Sequence, residues 1–207
     1  RVTGVKAELL YGVLPEYDVI TRSVEIINGS KGRISVKKLA PACLDMVGGG
    51  YDFLTFYGRH AMERNLQRMP VGHGVQKIGS LRGTSSHQYN PAVILAERET
   101  TEDAGGCWAM SFVYSGGFQS EAGQDQYYQT RLLMGFSEEQ FAYPLHPGES
   151  LQSPEVIMSY SSEGLAKLSQ NLHRCMRTHL CRGKYKEVVR PILLNSWEAS
   201  YFDFTGE

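Results

Sequence analysis

"CWAMSFVYSG" occupies residues 107–116, and its reading decides the fold. Trp108, Met110, Phe112 and Tyr114 fall at every second position. That period places them on one face of an extended strand and the intervening residues on the other. Gly116 and Gly117 then break the run. Comparable stretches lie on both sides: "VQKIGSLRG" (75–83) and "NPAVILAE" (90–97) before it, "QYYQTRLLMGF" (126–136) and "SPEVIMSYS" (153–161) after it. Many short strands separated by glycine-rich breaks predict a mainly β protein, a large antiparallel β-sandwich.

Nearer the start, "YDVITRSVEII" (17–27) and "RISVKKLAPACLDM" (33–46) flank Asn28-Gly29. Two β-rich runs around Asn-Gly predict a hairpin turning at those two residues. Asn28, Gly29 and Ser30 also spell a glycosylation acceptor, but the apolar alternation on both sides favours the hairpin. Tyr51, Phe53 and Tyr57 open a further β stretch, "YDFLTFYGRHAMERNLQRMPVG" (51–72).

The totals narrow the function. The 207 residues include 21 basic and 22 acidic side chains, a net charge of −1. A nucleic-acid partner needs a basic stripe, so none is expected. No apolar run approaches the roughly 20 residues that span a bilayer, so no membrane partner is expected either. Cys43, Cys107, Cys175 and Cys181 form no CxxC pair, and reduced thiols in a cytoplasmic setting are expected. The chain opens on Arg1 without a signal peptide, and the expectation is a segment of a longer protein.

The texture changes at Ser161. "SSEGLAKLSQNLHRCMRTHLCRG" (161–183) aligns Leu165, Leu168, Leu172, Cys175 or Met176, and His179 in steps of three and four. This predicts an amphipathic helix capped by serine, carrying Glu163 in its first turn and closed by Gly183. Arg190-Pro191 stiffens the chain beyond it. Ile192, Leu193 and Leu194 form a wholly apolar run, typical of a buried parallel strand. Thr205 has the character of a helix N-cap. Strand, loop and helix start predict the truncated first strand of a (β/α)8 barrel or open α/β sheet. The expected division is therefore a β-sandwich over 1–160, a linking helix and loop over 161–189, and the start of a barrel over 190–207.

Several stretches invite chemistry. Arg59, His60, Arg64 and Arg68 are basic, but Glu63 sits among them, and a strand with cross-strand ion pairs is expected. Ser86 and His87 suggest a nucleophile and its base. Adjacent residues of an extended chain point to opposite faces, however, and there is no G-x-S-x-G elbow. A loop tied by side-chain-to-backbone bonds is expected over 82–91. Gly72, His73 and Gly74 make a GxG without a strand-turn-helix context, so no phosphate cradle is expected. His173, Cys175, His179 and Cys181 cannot all reach one tetrahedral centre from a continuous helix, so no metal site and no cofactor are expected. Glu198 and Asp203 are a weak carboxylate pair. Trp197 is more informative: it reads equally as a core tryptophan or as an indole on the loop after a barrel strand that stacks on a sugar face.

Two long motifs now carry a resemblance. "GRHAMERNLQRMPVGHGVQKIGSLRGTSSHQYNPAVIL" (58–95) resembles the N-terminal domain signature of the α-galactosidases of glycoside hydrolase family 36. "RPILLNSWEASYFDF" (190–204) is similar to R-P-x-L-x-N-x-W-E-A-x-Y-F-D-F, which opens that family's catalytic barrel. The resemblance implies a β-sandwich, a (β/α)8 barrel and a C-terminal β domain. It implies a retaining enzyme that removes terminal α-galactosyl residues from oligosaccharides of the melibiose and raffinose type. Its two catalytic aspartates map to no residue of this chain. Of the sugar-pocket residues only Trp197 maps here, as a wall of the galactose site. The chain itself is expected to scaffold and assemble without catalysing. The resemblance implies a homo-oligomer, with Phe118, Tyr127 and Tyr128 as candidate contacts. The rival reading is a carbohydrate-binding or protein-interaction sandwich with no catalytic parent.

Overall fold

The computed structural model describes residues 4–139 and 141–206. Fourteen strands precede a single long helix: β1 (Val5–Leu14), β2 (Val19–Asn28), β3 (Ile34–Val36), β4 (Ala42–Met46), β5 (Tyr51–Arg59), β6 (Met62–Pro70), β7 (Gly74–Gly79), β8 (Tyr89–Glu97), β9 (Cys107–Phe112), β10 (Phe118–Gln124), β11 (Thr130–Phe136), β12 (Tyr143–Leu145), β13 (Ser150–Gln152) and β14 (Val156–Ser161). The large sheet has the order β1-β2-β14-β9-β8-β5-β6, with β13 also pairing β2. A smaller sheet runs β10-β11-β4, and β12 pairs β3. Every pairing between these strands is antiparallel.

The period-two pattern explains the layers. Phe53, Val93, Met110, Phe112 and Val156 of the large sheet meet Phe118, Ala122, Leu132 and Met134 of the small one in the main core. Their sequence neighbours Leu54, Ala109 and Ile157 point to the opposite face. There the long helix α1 (Gly164–Cys175) covers them with Leu168 and Cys175. The large sheet is thus packed on both faces near its middle, sandwiched between a second sheet and a helix. Burying a side chain such as Leu168 contributes roughly 1.5–3 kcal/mol. Strand β7 runs alongside β10, where Ser80 N donates to Phe118 O at 2.9 Å. The approach at Gly79 is so close that a Cβ there would lie 2.3 Å from Phe118 O.

Strand β9 sits at the centre, between β14 and β8. Its alternation is as read: Met110 and Phe112 enter the main core, and Cys107 and Ala109 face the helix. Trp108 lies opposite Tyr160 in register, with ring centroids 5.0 Å apart, and meets Tyr51 edge-on at 5.8 Å.

Two expectations need correction. Asn28-Gly29 is no hairpin turn: β2 pairs with β1, β13 and β14, and β3 leaves to pair with β12. The hairpin that involves β2 joins it to β1 through a short 3-10 turn, Pro15–Tyr17. Asn28 is instead a buried knot. Its Nδ2 donates to Gly32 O and Leu145 O, both at 2.9 Å, and its Oδ1 accepts from Ser30 N at 3.0 Å and Ser30 Oγ at 2.6 Å. Buried with every polar atom engaged, it is closed to glycosylation in the folded chain. Phe118 is not a surface contact but fully buried, because its position on β10 faces the main core.

At the end of the chain Ile192, Leu193 and Leu194 are 100%, 89% and 89% exposed. A strand needs an edge to pair with, and none of the described strands lies beside them. One helical turn, α2 (Trp197–Ser200), follows.

The helix after the sandwich begins at Gly164 and ends its α-helical part at Cys175, continuing as a π-turn over Met176–Leu180. Ser161 Oγ accepts from Glu163 N at 3.0 Å, fixing the entry. Gly164 has a φ of +81° and no room for a side chain: a Cβ would lie 2.5 Å from Ala104 N. Leu168 and Cys175 of the expected stripe are fully buried, and Leu165 and Leu172 pack beside them. The π-turn loosens the end of the stripe, leaving His179 half-exposed, edge-on to Tyr17 at 5.4 Å.

Candidate functional site

The expected sugar-facing residue, Trp197, lies at the start of α2. Asn195 Oδ1 accepts from Trp197 N at 3.0 Å and so sets the turn. Ser196 O accepts from Ala199 N at 3.1 Å and from Ser200 N at 2.9 Å. The turn ends at Tyr201, whose φ of +50° reverses the chain. This reversal brings two rings back onto the indole. Tyr201 meets Trp197 at 5.4 Å with an interplanar angle of 74°, and Phe202 meets it at 5.1 Å with 87°. Both contacts are edge-to-face, the arrangement aromatic quadrupoles favour. Trp197 stays 49% exposed, so part of the indole surface remains open. Glu198 lies in the same turn, and Asp203 N donates to Ser200 O at 2.8 Å.

The other stretches resolve as structure. Ser86 Oγ accepts from Gln88 N at 3.2 Å, Ser80 Oγ donates to Thr84 O at 2.6 Å, and Thr84 Oγ1 donates to Ser85 O at 3.0 Å. This is the side-chain-tied loop expected over 82–91. Residues 58–68 form the β5–β6 hairpin, with its tip at Ala61 in the left-handed region. The ion pair expected there is Arg68 Nε to Asp52 Oδ2 at 2.7 Å. The same guanidinium also donates to Thr100 O, Glu97 O and Arg98 O, locking the start of the β8–β9 loop to the hairpin.

Of the four residues weighed as metal ligands, Cys175 is buried in the helix seam and Cys181 is exposed. His173 Nδ1 lies 3.5 Å from Ser169 Oγ, and His179 Nε2 lies 3.8 Å from a Glu16 carboxylate oxygen. No cluster of three or more metal-ligating groups occurs among the described residues. All four cysteines are unpaired. Burial pushes the Cys107 thiol up to about 11, with the charges of Glu97 and Glu102 adding to it. Burial likewise raises Cys43 and Cys175.

Two arrangements had no signal in the sequence. Arg131 and Asp45 form a bidentate pair across β11 and β4, Nε to Oδ1 at 2.6 Å and a second bond at 2.9 Å. The guanidinium holds the Asp45 carboxyl below its usual value. Separately, Phe136 gathers Phe112, Tyr114 and Phe141 around its ring at centroid distances of 5.8, 5.1 and 5.2 Å. The strand ends that bring them together are far apart in sequence, so alternation alone could not find the cluster.

A two-sheet antiparallel sandwich thus leads through a helix to an aromatic W-E-A-S-Y-F-D-F tail. The comparisons with known proteins make the family specific. The family model described as "Glycosyl hydrolase family 36 N-terminal domain" matches residues 1–146, and the one described as "Melibiase" matches residues 150–207. The chain belongs to glycoside hydrolase family 36. It is 63% identical over 203 residues to the bifunctional α-galactosidase/sucrose kinase AgaSK of Mediterraneibacter gnavus, covering 98% of this chain and 22% of that protein. It is 38% identical to α-galactosidase Mel36A of Lactobacillus acidophilus, covering 100% of this chain and 28% of the relative. The solved galactosidase domain of AgaSK superposes with a TM-score of 0.94, over 98% of this chain and 28% of that one. The α-galactosidase AgaA of Geobacillus stearothermophilus, solved with stachyose, superposes with a TM-score of 0.93 at 40% identity, over 97% of this chain and 28% of that one. The chain thus spans about a quarter of the length of the α-galactosidases it matches.

Proposed function

We propose that this chain is the β-sandwich, exit helix and first sugar-facing segment of a retaining α-galactosidase that cleaves terminal α-galactosyl residues from raffinose-type oligosaccharides. The observation that carries the reading is the tail. Asn195 and the left-handed Tyr201 hold an indole half-open between two aromatic rings. An indole held in this way offers a flat, electron-rich face to the C–H side of a pyranose. AgaA, at 40% identity, has been solved with stachyose and with raffinose, which indicates the sugar class.

In the complete enzyme one carboxylate attacks the anomeric carbon while a second protonates the leaving oxygen and then activates water. Neither role is assigned to a residue of this chain, and Glu198 and Asp203 serve the turn. The sandwich contributes a rigid mount, and Trp197 one wall of the galactose site. The exposed apolar side chains Leu9, Tyr11 and Val13 on the edge strand β1 favour a homo-oligomer. Four unpaired cysteines fit a reducing, cytoplasmic setting.

The test is Trp197→Ala in the full-length enzyme, with hydrolysis of raffinose and of p-nitrophenyl α-galactoside as readouts. Loss of the stacking wall is expected to lower kcat/KM at least about tenfold, equivalent to about 1.4 kcal/mol. In the 207-residue chain the thermal midpoint is expected to stay unchanged, because among the described residues the rings that meet the indole are Tyr201 and Phe202. An unaltered kcat/KM would remove Trp197 from the site.

A further inference from the structure

Asn28-Gly29 carries a chemistry that its part in the fold does not use. Of the five asparagines, Asn28, Asn65, Asn90, Asn171 and Asn195, only Asn28 is followed by glycine. Glycine has no Cβ to shield its backbone nitrogen and the widest conformational freedom in an unfolded chain. That nitrogen can attack the asparagine's Cγ. A bond from Gly29 N to Cγ closes a succinimide ring, the Cγ–Nδ2 bond breaks, and Nδ2 leaves as ammonia, taking the amide proton of Gly29. Water then opens the ring at either carbonyl, giving aspartate or its β-linked isomer, isoaspartate. Water is the only co-reactant.

The fold demands both residues. Asn28 ends β2 fully buried, with its side chain bonded to Gly32 O, Leu145 O and Ser30. Its backbone is gripped as well: Asn28 N donates to Glu149 O at 2.9 Å, and Gly148 N donates to Asn28 O at 2.7 Å. Gly29 passes so close to the start of the chain that a Cβ would lie 2.9 Å from Gly4 O. The knot needs asparagine and the crossing needs glycine, so this corner requires the labile pair.

The same contacts block the reaction. Cγ must swing onto Gly29 N, which breaks both Nδ2 bonds and disturbs a peptide held by Gly148 and Glu149. Ser30 N and Oγ polarise Cγ through Oδ1, but they also hold it in place. Conversion in the folded chain therefore waits for the corner between β2 and β12 to open. Its rate is the unfolded rate multiplied by the open fraction.

We propose that Asn28 is a self-modification site that acts once. It is silent while the knot is closed, and after opening it converts to a residue the corner does not accept. Aspartate would set a carboxylate oxygen against Gly32 O and Leu145 O. Isoaspartate would add a methylene to a main chain held by Val5 on one side and by Gly148 and Glu149 on the other, and so break the register. A chain that stays open too long is barred from refolding. Time spent open, rather than equilibrium stability, then sets its lifetime.

The test holds the 207-residue chain at mildly alkaline pH, native and in parallel in urea. Residues 28 and 195 are followed by peptide mass spectrometry with isoaspartyl methyltransferase labelling. Conversion at Asn28 is expected to be at least about tenfold slower in the folded chain, the factor set by an opening cost of about 1.4 kcal/mol. Asn195 is exposed and precedes Ser196, so its conversion is expected to proceed at similar rates in both conditions. On dilution from urea, the fraction recovering native Trp108 fluorescence should fall in step with conversion at residue 28. Asn28→Asp should show the refolding defect without any incubation. In urea, where folding plays no part, Gly29→Ala should slow the conversion several-fold.

Equal rates at Asn28 in the folded and unfolded chain would overturn the gate. Absence of conversion in urea would overturn the site. So would full recovery of the native signal by chains converted at residue 28, or a loss of refolding that tracks residue 195 instead.

Discussion

Asn28→Ala is expected to be among the most destabilising single substitutions in the sandwich. The side chain is fully buried and makes four hydrogen bonds that tie the end of β2 to the loop at Gly32 and to Leu145 of β12. Alanine removes all four. The bond to Leu145 O is buried, and stranding that carbonyl costs about 1–3 kcal/mol. The partners at Gly32 and Ser30 are more exposed, so water replaces much of what is lost there, leaving about 0.5–1.5 kcal/mol between them. The sum is about 2–4 kcal/mol. Urea unfolding followed by the fluorescence of Trp108, which packs on Tyr51 and Tyr160, measures it directly.

Asn28→Asp sharpens the argument, because it keeps the shape and reverses the polarity. A carboxylate oxygen would then face two carbonyl oxygens where Nδ2 now donates. Burial and this repulsion raise the folded-state pKa of the new carboxyl above its unfolded value of about 3.9. The sign follows from linkage. Below about pH 3.9 the group is protonated in both states and can still donate one bond, so the variant is least impaired. As pH rises from there toward the raised folded value, the unfolded state gains stability and the deficit grows, then levels off. At pH 7 the deficit should exceed that of Asn28→Ala. A difference between Asn28→Ala and wild type below about 0.5 kcal/mol, or a pH-independent deficit in Asn28→Asp, would refute the view of Asn28 as a buried knot.

Two further outcomes can be checked alongside. Iodoacetamide at pH 8 should label Cys181 rapidly in the folded chain and spare Cys107, which is buried with its thiol pushed up to about 11; mass spectrometry that finds Cys107 modified first would contradict the packing under α1. The Asp45–Arg131 pair lowers the Asp45 pKa, so it stabilises above the unfolded value near 3.8 and the stabilisation is lost as pH falls through the folded value. Wild type and Asp45→Asn should therefore differ by less than about 1 kcal/mol at pH 7, given the exposure of both partners, and converge under more acidic conditions when unfolding is followed against pH.

Where the sequence spoke through a repeating pattern, it was legible. The alternation over β9, with Met110 and Phe112 on one side and Cys107 and Ala109 on the other, is the sandwich in miniature, because period two only has to know which face is inside. The stripe of Leu165, Leu168 and Leu172 foretold α1 for the same reason. What failed were readings that depended on a distant partner. Asn28-Gly29 has the local chemistry of a hairpin turn, but the pairing of β2 was decided by β1, β13 and β14, one before it in the chain and two more than a hundred residues after it. The aromatic cluster around Phe136 was invisible for a related reason: Phe112, Tyr114 and Phe141 are unremarkable singly and meet only where the ends of β9 and β11 converge. A local pattern can specify a strand's faces or a helix's seam; it cannot specify the register of strands or the convergence of loops. Any functional site assembled from the latter has to be read from the folded chain.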